Sequence, residues 1–479
     1  MSLLKKLSPS RRWRSGLNRT AVAAAVISLV FGGFGCKGVD PQVAARIKPI
    51  TIKYWRVFDG SDAFADIISK YRQLHPNVII DYKMFSYDEY EKALLSAIAE
   101  GNGPDILSLH NSWMRRWQPR LLPAPAVISI PFREITGTIK KEETYTLRNE
   151  AGPSLTSVKN DFVDGVYNDV VIPTPQDDPR LPPADLVYGL PLSVDSMVLF
   201  YNRDLLNNAG LAQPAADWKT FQDQVKKLTK LDETGAIIQS GAALGTADNV
   251  ERASDILSIL MMQNGAIMND QNGQATFDKY PPEMAGRPLP PGAEALVFYT
   301  DFANPEKEVY SWNDKMPDSL QAFADGHTAY FFGYAYDLPL IRNLNPKLNF
   351  GIAHFPQIEG NNPVYFANYW IEAVSKQTTH PNEAWDFLMF ATNATSAPSY
   401  LKATHKPTAL RSLVNSQLDD LDLSAFVSQA PYAKSWYHGT DAQATEEAFQ
   451  AMIRQALSRE ADPKRIVELA ATKVNQTIK

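Results

Sequence analysis

A carboxylate lies inside an apolar stretch of the chain. The segment Leu190–Tyr201 reads LPLSVDSMVLFY, and apart from one proline, Asp195 and two serines its residues are apolar. This pattern predicts a strand buried on both faces, followed by a helix that Asn202 caps. Because an unpaired buried charge is costly, Asp195 either pairs with a nearby cation or backbone amides, or is offered to a ligand in a cleft. Taken alone, the stretch favours the first interpretation.

Motifs of the common enzyme classes do not occur in the sequence. The seven histidines show no HExxH pattern or close metal-ligand spacing, and there is no GxSxG elbow, P-loop or GxGxxG. No metal, cofactor or catalytic residue is therefore expected, and the protein is predicted not to be an enzyme. Asp59 and Asp195 could nevertheless face each other across a cleft, as the paired carboxylates of glycoside hydrolases do. A secreted hydrolase or lyase acting on carbohydrate is the alternative.

The elements before this stretch predict a binding edge. From Ile50 onward, alternating apolar residues and amphipathic stripes predict strand, helix, strand, helix and strand in that order, up to Leu109. Apolar strands in this order form a parallel sheet, and ligands bind beyond the carboxyl ends of such strands. Those ends are followed by loops that contain Asp59 in one case and Asn111 and Trp113 in the other. Polar and aromatic side chains in both loops suit a binding site.

The composition is that of a folded protein with an acidic body. The chain has 479 residues, 44% of them hydrophobic and 21% charged, which is long enough for more than one core. The formal charge is −6, and the first 35 residues contain six Lys or Arg and no acid, so the remainder carries a formal charge of −12. Nucleic acid is not expected as a partner, because phosphate binding requires a basic face.

The N-terminus has the features of an export signal. A basic segment precedes Ala21–Gly35, an apolar run that is short for a permanent membrane span. The only cysteine, Cys36, follows at once and cannot form a disulfide within the chain. The arrangement resembles a bacterial lipobox, although Gly33 and Phe34 depart from its usual residues. Residues 1–36 are thus predicted to be a lipoprotein signal peptide, with Cys36 lipidated (palmitate), and 37–47 a tether to the membrane.

Blocks along the rest of the chain resemble a known family. AEGNGPDIL, YGLPLSVDSMVLFYNRDLLNNAGL, SLQAFADGHTAYFFG with FGIAHFPQI, and WIEAVSKQTTHPNEAWDFLMFAT follow one another in the family's order. They resemble the extracytoplasmic solute-binding proteins of ABC importers, family 1, in particular the sugar-binding branch that includes maltose-binding protein. Each block alone is loose, but the ordered set is specific.

The resemblance implies an α/β chain with the periplasmic-binding-protein-like II fold. Two α/β lobes would be joined by a hinge, with the ligand cleft between them. The first lobe would comprise 48–190 plus 371–411, and the second 192–370 plus 412–479. The expected function is binding of a solute, most readily a mono- or oligosaccharide, outside the cytoplasm, in the periplasm or at the cell surface. A lipid-anchored monomer would deliver it to the ABC permease subunits, and a surface sensor or adhesin without an importer is a further alternative.

A sugar site needs carboxylates and amides for hydroxyls and aromatic rings for the apolar faces of the sugar. The resemblance and the predicted cleft together select twelve ligand-binding residues. They are Asp59, Asn111, Trp113, Asp195, Arg252, Asp255, Tyr334, Tyr336, Asp337, Asn368, Tyr369 and Trp436. The segment Leu121–Pro183 is longer than the family pattern and is expected to cover a lobe surface rather than to carry chemistry.

Overall fold

The computed structural model describes residue 43 and residues 46–137, 141–176, 178–459 and 461–478. The predicted signal peptide, the lipidation site Cys36 and most of the predicted tether lie outside these residues. Within the described ranges, no helix is both long and apolar enough to span a bilayer.

The described residues form eighteen strands and seventeen α-helices. The strands are β1 Ile50–Val57, β2 Val78–Phe85, β3 Ile106–His110, β4 Leu121–Leu122, β5 Val127–Thr136, β6 Glu142–Ala151, β7 Val171–Thr174, β8 Ala184–Val187, β9 Leu190–Pro191, β10 Asp195–Ser196, β11 Val198–Asn202, β12 Lys230–Leu231, β13 Ile237–Ala242, β14 Thr328–Gly333, β15 Phe350–Ala353, β16 Tyr365–Asn368, β17 Trp370–Ser375 and β18 Ala433–Lys434. The helices are α1 Ala65–Leu74, α2 Tyr87–Ala99, α3 Met114–Trp117, α4 Leu155–Asp161, α5 Asp164–Val170, α6 Arg203–Asn208, α7 Trp218–Leu228, α8 Ala253–Gln263, α9 Pro291–Asp301, α10 Ser319–Ala324, α11 Asp337–Leu344, α12 Pro381–Thr392, α13 Ala397–Thr404, α14 Arg411–Gln417, α15 Ser424–Gln429, α16 Ala442–Ser458 and α17 Pro463–Asn475.

The first large sheet has the order β2-β1-β3-β17-β4, with β9 also paired to β17. Strands β1, β2 and β3 are parallel, as the strand-helix alternation predicts, whereas β17 is antiparallel to β3. Apolar residues such as Ile52 and Leu107 are buried, because helices such as α1 and α2 pack against the sheet. The loops that follow β1 and β3 therefore lie at the same edge.

The second large sheet has the order β12-β13-β14-β11-β15. Its central strand β14 is buried along its whole length and pairs with β13 in parallel and with β11 antiparallel. A third, small sheet joins β10, β16 and β18. The chain is thus an α/β fold with two lobes, each built on one large sheet.

The apolar stretch around Asp195 is not one strand. It forms β9 in the first sheet, β10 in the small sheet and β11 in the second sheet. The prediction of a single strand was wrong, because Pro191 donates no backbone hydrogen bond and the pairing partner changes at each break. This segment consequently passes from one lobe to the other. Ser193 also forms a bridge with Thr408, close to the predicted lobe boundary between residues 411 and 412.

The long segment between β4 and β9 adds a hairpin, β5–β6, two helices and the β7–β8 pair. The hairpin packs on α12 and α1. Helix α5 packs against β18, where the approach is close enough that a Cβ on Gly165 would lie 2.8 Å from the Ala433 carbonyl oxygen. This insertion therefore reaches the small sheet as well as the outer surface of the first lobe.

Candidate functional site

A cleft of about 1630 Å³ lies between the ends of the two large sheets. The loops after β1 and β3 form one wall, and the turn after β14 and the start of α8 contribute to the other. Ten of the twelve predicted residues line it: Asp59, Asn111, Trp113, Asp195, Arg252, Asp255, Tyr336, Asn368, Tyr369 and Trp436. The structure brings these side chains to one cavity, and their contact with a ligand stays a prediction.

Tyr334 and Asp337 do not line the cleft, contrary to expectation, and both are fully buried. The tight turn between β14 and α11 places them behind the wall. The backbone N–H of Tyr334 donates to Asp337 Oδ2 at 2.8 Å, and the Tyr334 hydroxyl donates to Asp255 Oδ2 at 2.8 Å. These two residues support the wall and leave Tyr336, which is 40% exposed, as the aromatic ring that faces the cleft.

Asp59 is held in a buried ionic cluster rather than free for a ligand. Lys406 Nζ donates to Asp59 Oδ1 at 2.6 Å, the Tyr400 hydroxyl donates to Oδ2 at 2.8 Å, and Arg56 Nη2 lies 3.2 Å from Oδ2. Arg56 also lies 3.3 Å from Glu372. Burial alone would raise the pKa of Asp59, but the charges of Arg56 and Lys406 outweigh it and hold the pKa below its usual value.

Among the residues that the structure describes, Asp195 has no such counterion in hydrogen-bond contact. The backbone N–H groups of Ser196 and Ala335 donate to Oδ1 and Oδ2, each at 2.9 Å. Burial raises the pKa of Asp195 to about 7, against which these backbone hydrogen bonds and the more distant charge of Lys406 act only in part. Backbone amides therefore hold Asp195, and its side chain also lines the cleft, where contact with a ligand stays a prediction.

Arg252 and Asp255 form a bidentate pair at the start of α8. Arg252 Nε and Nη2 donate to the two carboxylate oxygens of Asp255 at 2.8 and 2.9 Å. Arg252 adopts a left-handed backbone conformation with φ of 53°, which costs energy in a residue with a side chain. The planar pair presents a fixed hydrogen-bonding edge to the cleft, with Tyr334 holding Asp255 from behind.

Sequence analysis missed Asp169, which organises the floor of the cleft from the insertion. It is 1% exposed and accepts hydrogen bonds from the Tyr369 hydroxyl at 2.6 Å, from Asn111 Nδ2 at 3.3 Å and from the Ser435 hydroxyl, and it lies 2.9 Å from His438 Nε2. Burial would raise the pKa of Asp169, but the hydrogen bonds from His438, Ser435 and Tyr369 hold it below its usual value.

Asp169 therefore corrects the prediction that the insertion only covers a surface, because two of its partners, Asn111 and Tyr369, are predicted ligand-binding residues. Sequence analysis also did not select the lining residues Arg56, Lys406 and Glu251. A signal for Asp169 did exist. It is an acid among apolar residues in VYNDVVIP, the same pattern that drew attention to Asp195.

An aromatic wall faces the cleft from the first lobe, and most of it was also missed. Trp370 lies at the centre, with ring centroids 5.5 Å from Trp113, 5.8 Å from Phe58 and 6.3 Å from Tyr87. Phe58 is 57% exposed and adopts a left-handed φ of 66°, and its ring stacks on that of Tyr87. A bulky residue kept exposed in a costly backbone conformation indicates a functional constraint.

Trp436 is mostly a packing residue. It is 7% exposed, its indole N–H donates to Ser258 Oγ at 3.1 Å, and its ring packs against Phe277 and Phe449. Its edge still lines the cleft. Tyr336 is the more exposed ring, stacked on Tyr334 with centroids 5.6 Å apart.

Residues 59–398 match the family described as bacterial extracellular solute-binding protein. The chain is 25% identical over 252 residues to the multiple sugar-binding protein of Streptococcus mutans serotype c, an alignment that spans 51% of this chain and 57% of that protein. It is 24% identical over 329 residues to the galactooligosaccharide-binding protein of Bacillus subtilis, spanning 67% of this chain and 72% of that protein.

Solved structures share the fold over most of the chain. The cyclic alpha-maltosyl-1,6-maltose binding protein of Arthrobacter globiformis gives a TM-score of 0.66 at 19% identity, covering 90% of this chain and 99% of that one. A solute-binding protein of Thermotoga lettingae bound to alpha-D-tagatose gives a TM-score of 0.61 at 18% identity, covering 90% of this chain and all of that one. With the family match extending over most of the sequence, the chain belongs to the bacterial extracellular solute-binding proteins.

Proposed function

We propose that this protein binds a carbohydrate in the cleft and delivers it to the permease of an ABC importer. The observation on which the proposal rests is the composition of the two walls. One presents the exposed rings of Phe58 and Tyr87, and the other presents Tyr336 beside the carboxylate of Asp195 and the Arg252–Asp255 pair. Rings stack on the apolar faces of a sugar, and carboxylates accept hydrogen bonds from its hydroxyls.

The size of the cleft and the names of the relatives support a saccharide. A volume of about 1630 Å³ exceeds the roughly 300–1,000 Å³ of most small-molecule sites, so the cleft has room for more than one sugar ring. The names of two relatives, which refer to multiple sugars and to galactooligosaccharides, also support a saccharide as the ligand. The two lobes would close about the segments that cross between them. The ligand would favour the closed form, because only that form contacts it from both sides, and uptake would follow closure.

The cluster around Asp59 argues against the alternative of a carbohydrate-cleaving enzyme. A retaining or inverting mechanism needs two carboxyl groups that are free to act on the glycosidic bond. Asp59 is instead saturated by Lys406, Tyr400 and Arg56. Binding without turnover is therefore the proposed activity.

Incubation of the purified protein with an oligosaccharide library tests this proposal. Isothermal titration calorimetry should give stoichiometric binding to at least one saccharide, and mass spectrometry of the same mixture should show it unchanged. Cleavage products would favour the enzyme. Absence of binding across uncharged, charged and phosphorylated saccharides would contradict carbohydrate recognition.

Affinity should depend on pH because of Asp195. A carboxylate that accepts hydrogen bonds from sugar hydroxyls is favoured in its ionised form, so binding lowers its pKa from about 7 in the free protein. By linkage, the affinity then rises as the pH increases through that value, by up to about tenfold between pH 6 and pH 8. Titration calorimetry at both pH values checks this, with Asp195→Asn as the variant that should lose the dependence. A wild-type affinity that is flat or falls with pH would contradict the role of Asp195.

The membrane attachment is a proposal from the sequence. Lipidation of Cys36 after removal of residues 1–35 would hold the protein, as a monomer, on the bacterial membrane in the periplasm or at the cell surface. Mass spectrometry of the protein extracted from membranes should show an acylated N-terminal cysteine. Recovery of Cys36→Ser in the soluble extracytoplasmic fraction would support the assignment, and wild-type protein found wholly unacylated would contradict it.

A further inference from the structure

The cleft has an excess of negative charge that its own cations do not balance. Eight carboxylates and five lysine or arginine side chains line it. A charged ligand interacts most strongly with those side chains that have no partner of opposite charge within the wall.

Each of the five cations on the cleft wall is already paired with a carboxylate. Besides Arg56 and Lys406 on Asp59 and Arg252 on Asp255, two pairs lie nearer the rim. Arg116 Nη1 lies 2.7 Å from Glu91, and Arg342 Nη2 lies 2.8 Å from Asp422. A carboxylate or phosphate on the ligand would have to compete with these partners, and the side chains of two of them, Asp59 and Asp255, are buried.

Three carboxylates of the wall, in contrast, have no cation in salt-bridge contact among the described residues: Asp195, Glu251 and the more exposed Asp88. Asp195 is held by backbone N–H groups alone. Glu251, next to the Arg252–Asp255 pair, lies on the same side of the cleft, and burial together with the charge of Asp318 raises its pKa. A further acid, Asp337, is fully buried directly behind this wall, and its Oδ1 has no hydrogen-bond partner in the described structure.

The histidines of the wall do not offset this excess. Both ring nitrogens of His110 are hydrogen-bonded, one to Ser112 Oγ and the other to Asn368 Oδ1, at 2.7 Å each. Burial lowers the pKa of His110 to about 4. It is therefore neutral at physiological pH. His405 stands near the carboxylates of Asp420 and Asp422, 3.6 and 3.7 Å away.

We infer that the site selects saccharides without a carboxylate or phosphate group, and that Glu251 and Asp195 enforce the selection by repelling anionic ones. The inference rests on the proposed function, since it concerns which carbohydrates the cleft accepts. Like charges brought together in a partly desolvated site repel strongly, whereas hydroxyl groups and ammonium groups can donate to both carboxylates. Uncharged and amino sugars therefore fit, and uronates and sugar phosphates do not.

A matched panel of saccharides tests the inference. The panel contains uncharged malto-, cello-, manno- and galacto-oligosaccharides, together with the same sugars bearing one terminal uronate or one phosphate. By titration calorimetry at pH 8, where Asp195 with its pKa of about 7 is mostly ionised, the uncharged form that binds best should bind about tenfold or more tightly than its anionic counterparts. An anionic form that binds as tightly as its uncharged counterpart overturns the inference and leaves the proposed function standing. A panel in which no saccharide binds overturns the proposed function itself.

The variant Glu251→Gln tests whether Glu251 causes the preference for uncharged saccharides. It keeps the shape of the side chain and removes the charge, so the preference for the uncharged form should shrink severalfold. The control is Glu233→Gln, which removes an exposed carboxylate from a turn outside the cleft and should leave the preference unchanged. A preference equal to that of the wild type in Glu251→Gln, with the protein folded by circular dichroism, overturns the role given to Glu251.

Discussion

Replacement of Arg56 by methionine should lower the free energy of unfolding by about 3–5 kcal/mol. The guanidinium is 2% exposed and lies between Asp59 and Glu372, at 3.2 and 3.3 Å. Its removal leaves Glu372 without a cation in contact and Asp59 with Lys406 alone. Breaking a buried ion pair by deleting one partner is costly because the other charge stays in a medium of low polarity.

Denaturant unfolding monitored by fluorescence measures this effect. The control is Lys70→Met, which removes an exposed pair with Asp66, in which both side chains are about half exposed, and should cost less than about 1 kcal/mol. The double variant Arg56→Met with Glu372→Gln should recover part of the loss, since it removes one of the two stranded carboxylates. A loss below about 1 kcal/mol for Arg56→Met would mean that the cluster does not hold the first lobe together.

The exposed aromatic rings should account for much of the affinity. Tyr336→Ala is expected to weaken saccharide binding by roughly 1–3 kcal/mol, or about tenfold to a hundredfold, because a stacked ring is lost from the wall. Phe58→Ala should have an effect of similar size from the opposite wall. Because both side chains are at least 40% exposed, the free energy of unfolding should change by less than about 1 kcal/mol.

Titration calorimetry with the best uncharged saccharide measures the loss, and chemical denaturation verifies that each variant is folded. Tyr432→Ala is the matched control, because Tyr432 is 55% exposed and does not line the cleft. Trp436 is unsuitable for this test, since its burial makes an alanine variant report on packing instead. Wild-type affinity in both Tyr336→Ala and Phe58→Ala would remove these rings from the binding site.

The sequence pattern correctly predicted strands, helices and helix caps that depend on neighbouring residues. The parallel strands β1, β2 and β3 follow from alternation and helix stripes, and Asn202 caps α6 as expected by accepting from the N–H groups of Asp204 and Leu205. In the Leu190–Tyr201 stretch, by contrast, the breaks reflect which distant strand each residue pairs with. Strand β9 pairs with residues near Ile371, and β11 pairs with β14. Most residues around these breaks are apolar, so the composition of the stretch does not mark where the breaks lie.

In the candidate site, too, the sequence indicates local features but not contacts between distant residues. The cleft position of ten predicted residues could be anticipated because loops after parallel strands converge, and because the family blocks order the rest. The residues to which they are hydrogen-bonded could not be anticipated. Asp59 accepts hydrogen bonds from Tyr400 and Lys406, which are 341 and 347 residues away in sequence, and Asp169 contacts Tyr369, which is 200 residues away. Pairing over such distances leaves no mark in a single sequence.

Tyr334 and Tyr336 differ in whether their rings face the cleft. They are two residues apart in one motif, yet one is fully buried behind the wall and the other faces the cleft. The turn between β14 and α11 decides which ring is exposed, and the sequence pattern of alternating tyrosines does not. The structure therefore places Tyr336 at the cleft and Tyr334 and Asp337 behind its wall, and ligand binding by the motif stays a prediction.

A crystal structure of the protein with its best uncharged saccharide tests the central claim most directly. We expect the saccharide between the two lobes, with Tyr336 stacked on one of its rings and Asp195 accepting a hydrogen bond from a hydroxyl group. A saccharide bound elsewhere on the protein, with this cleft left to solvent, would contradict the account.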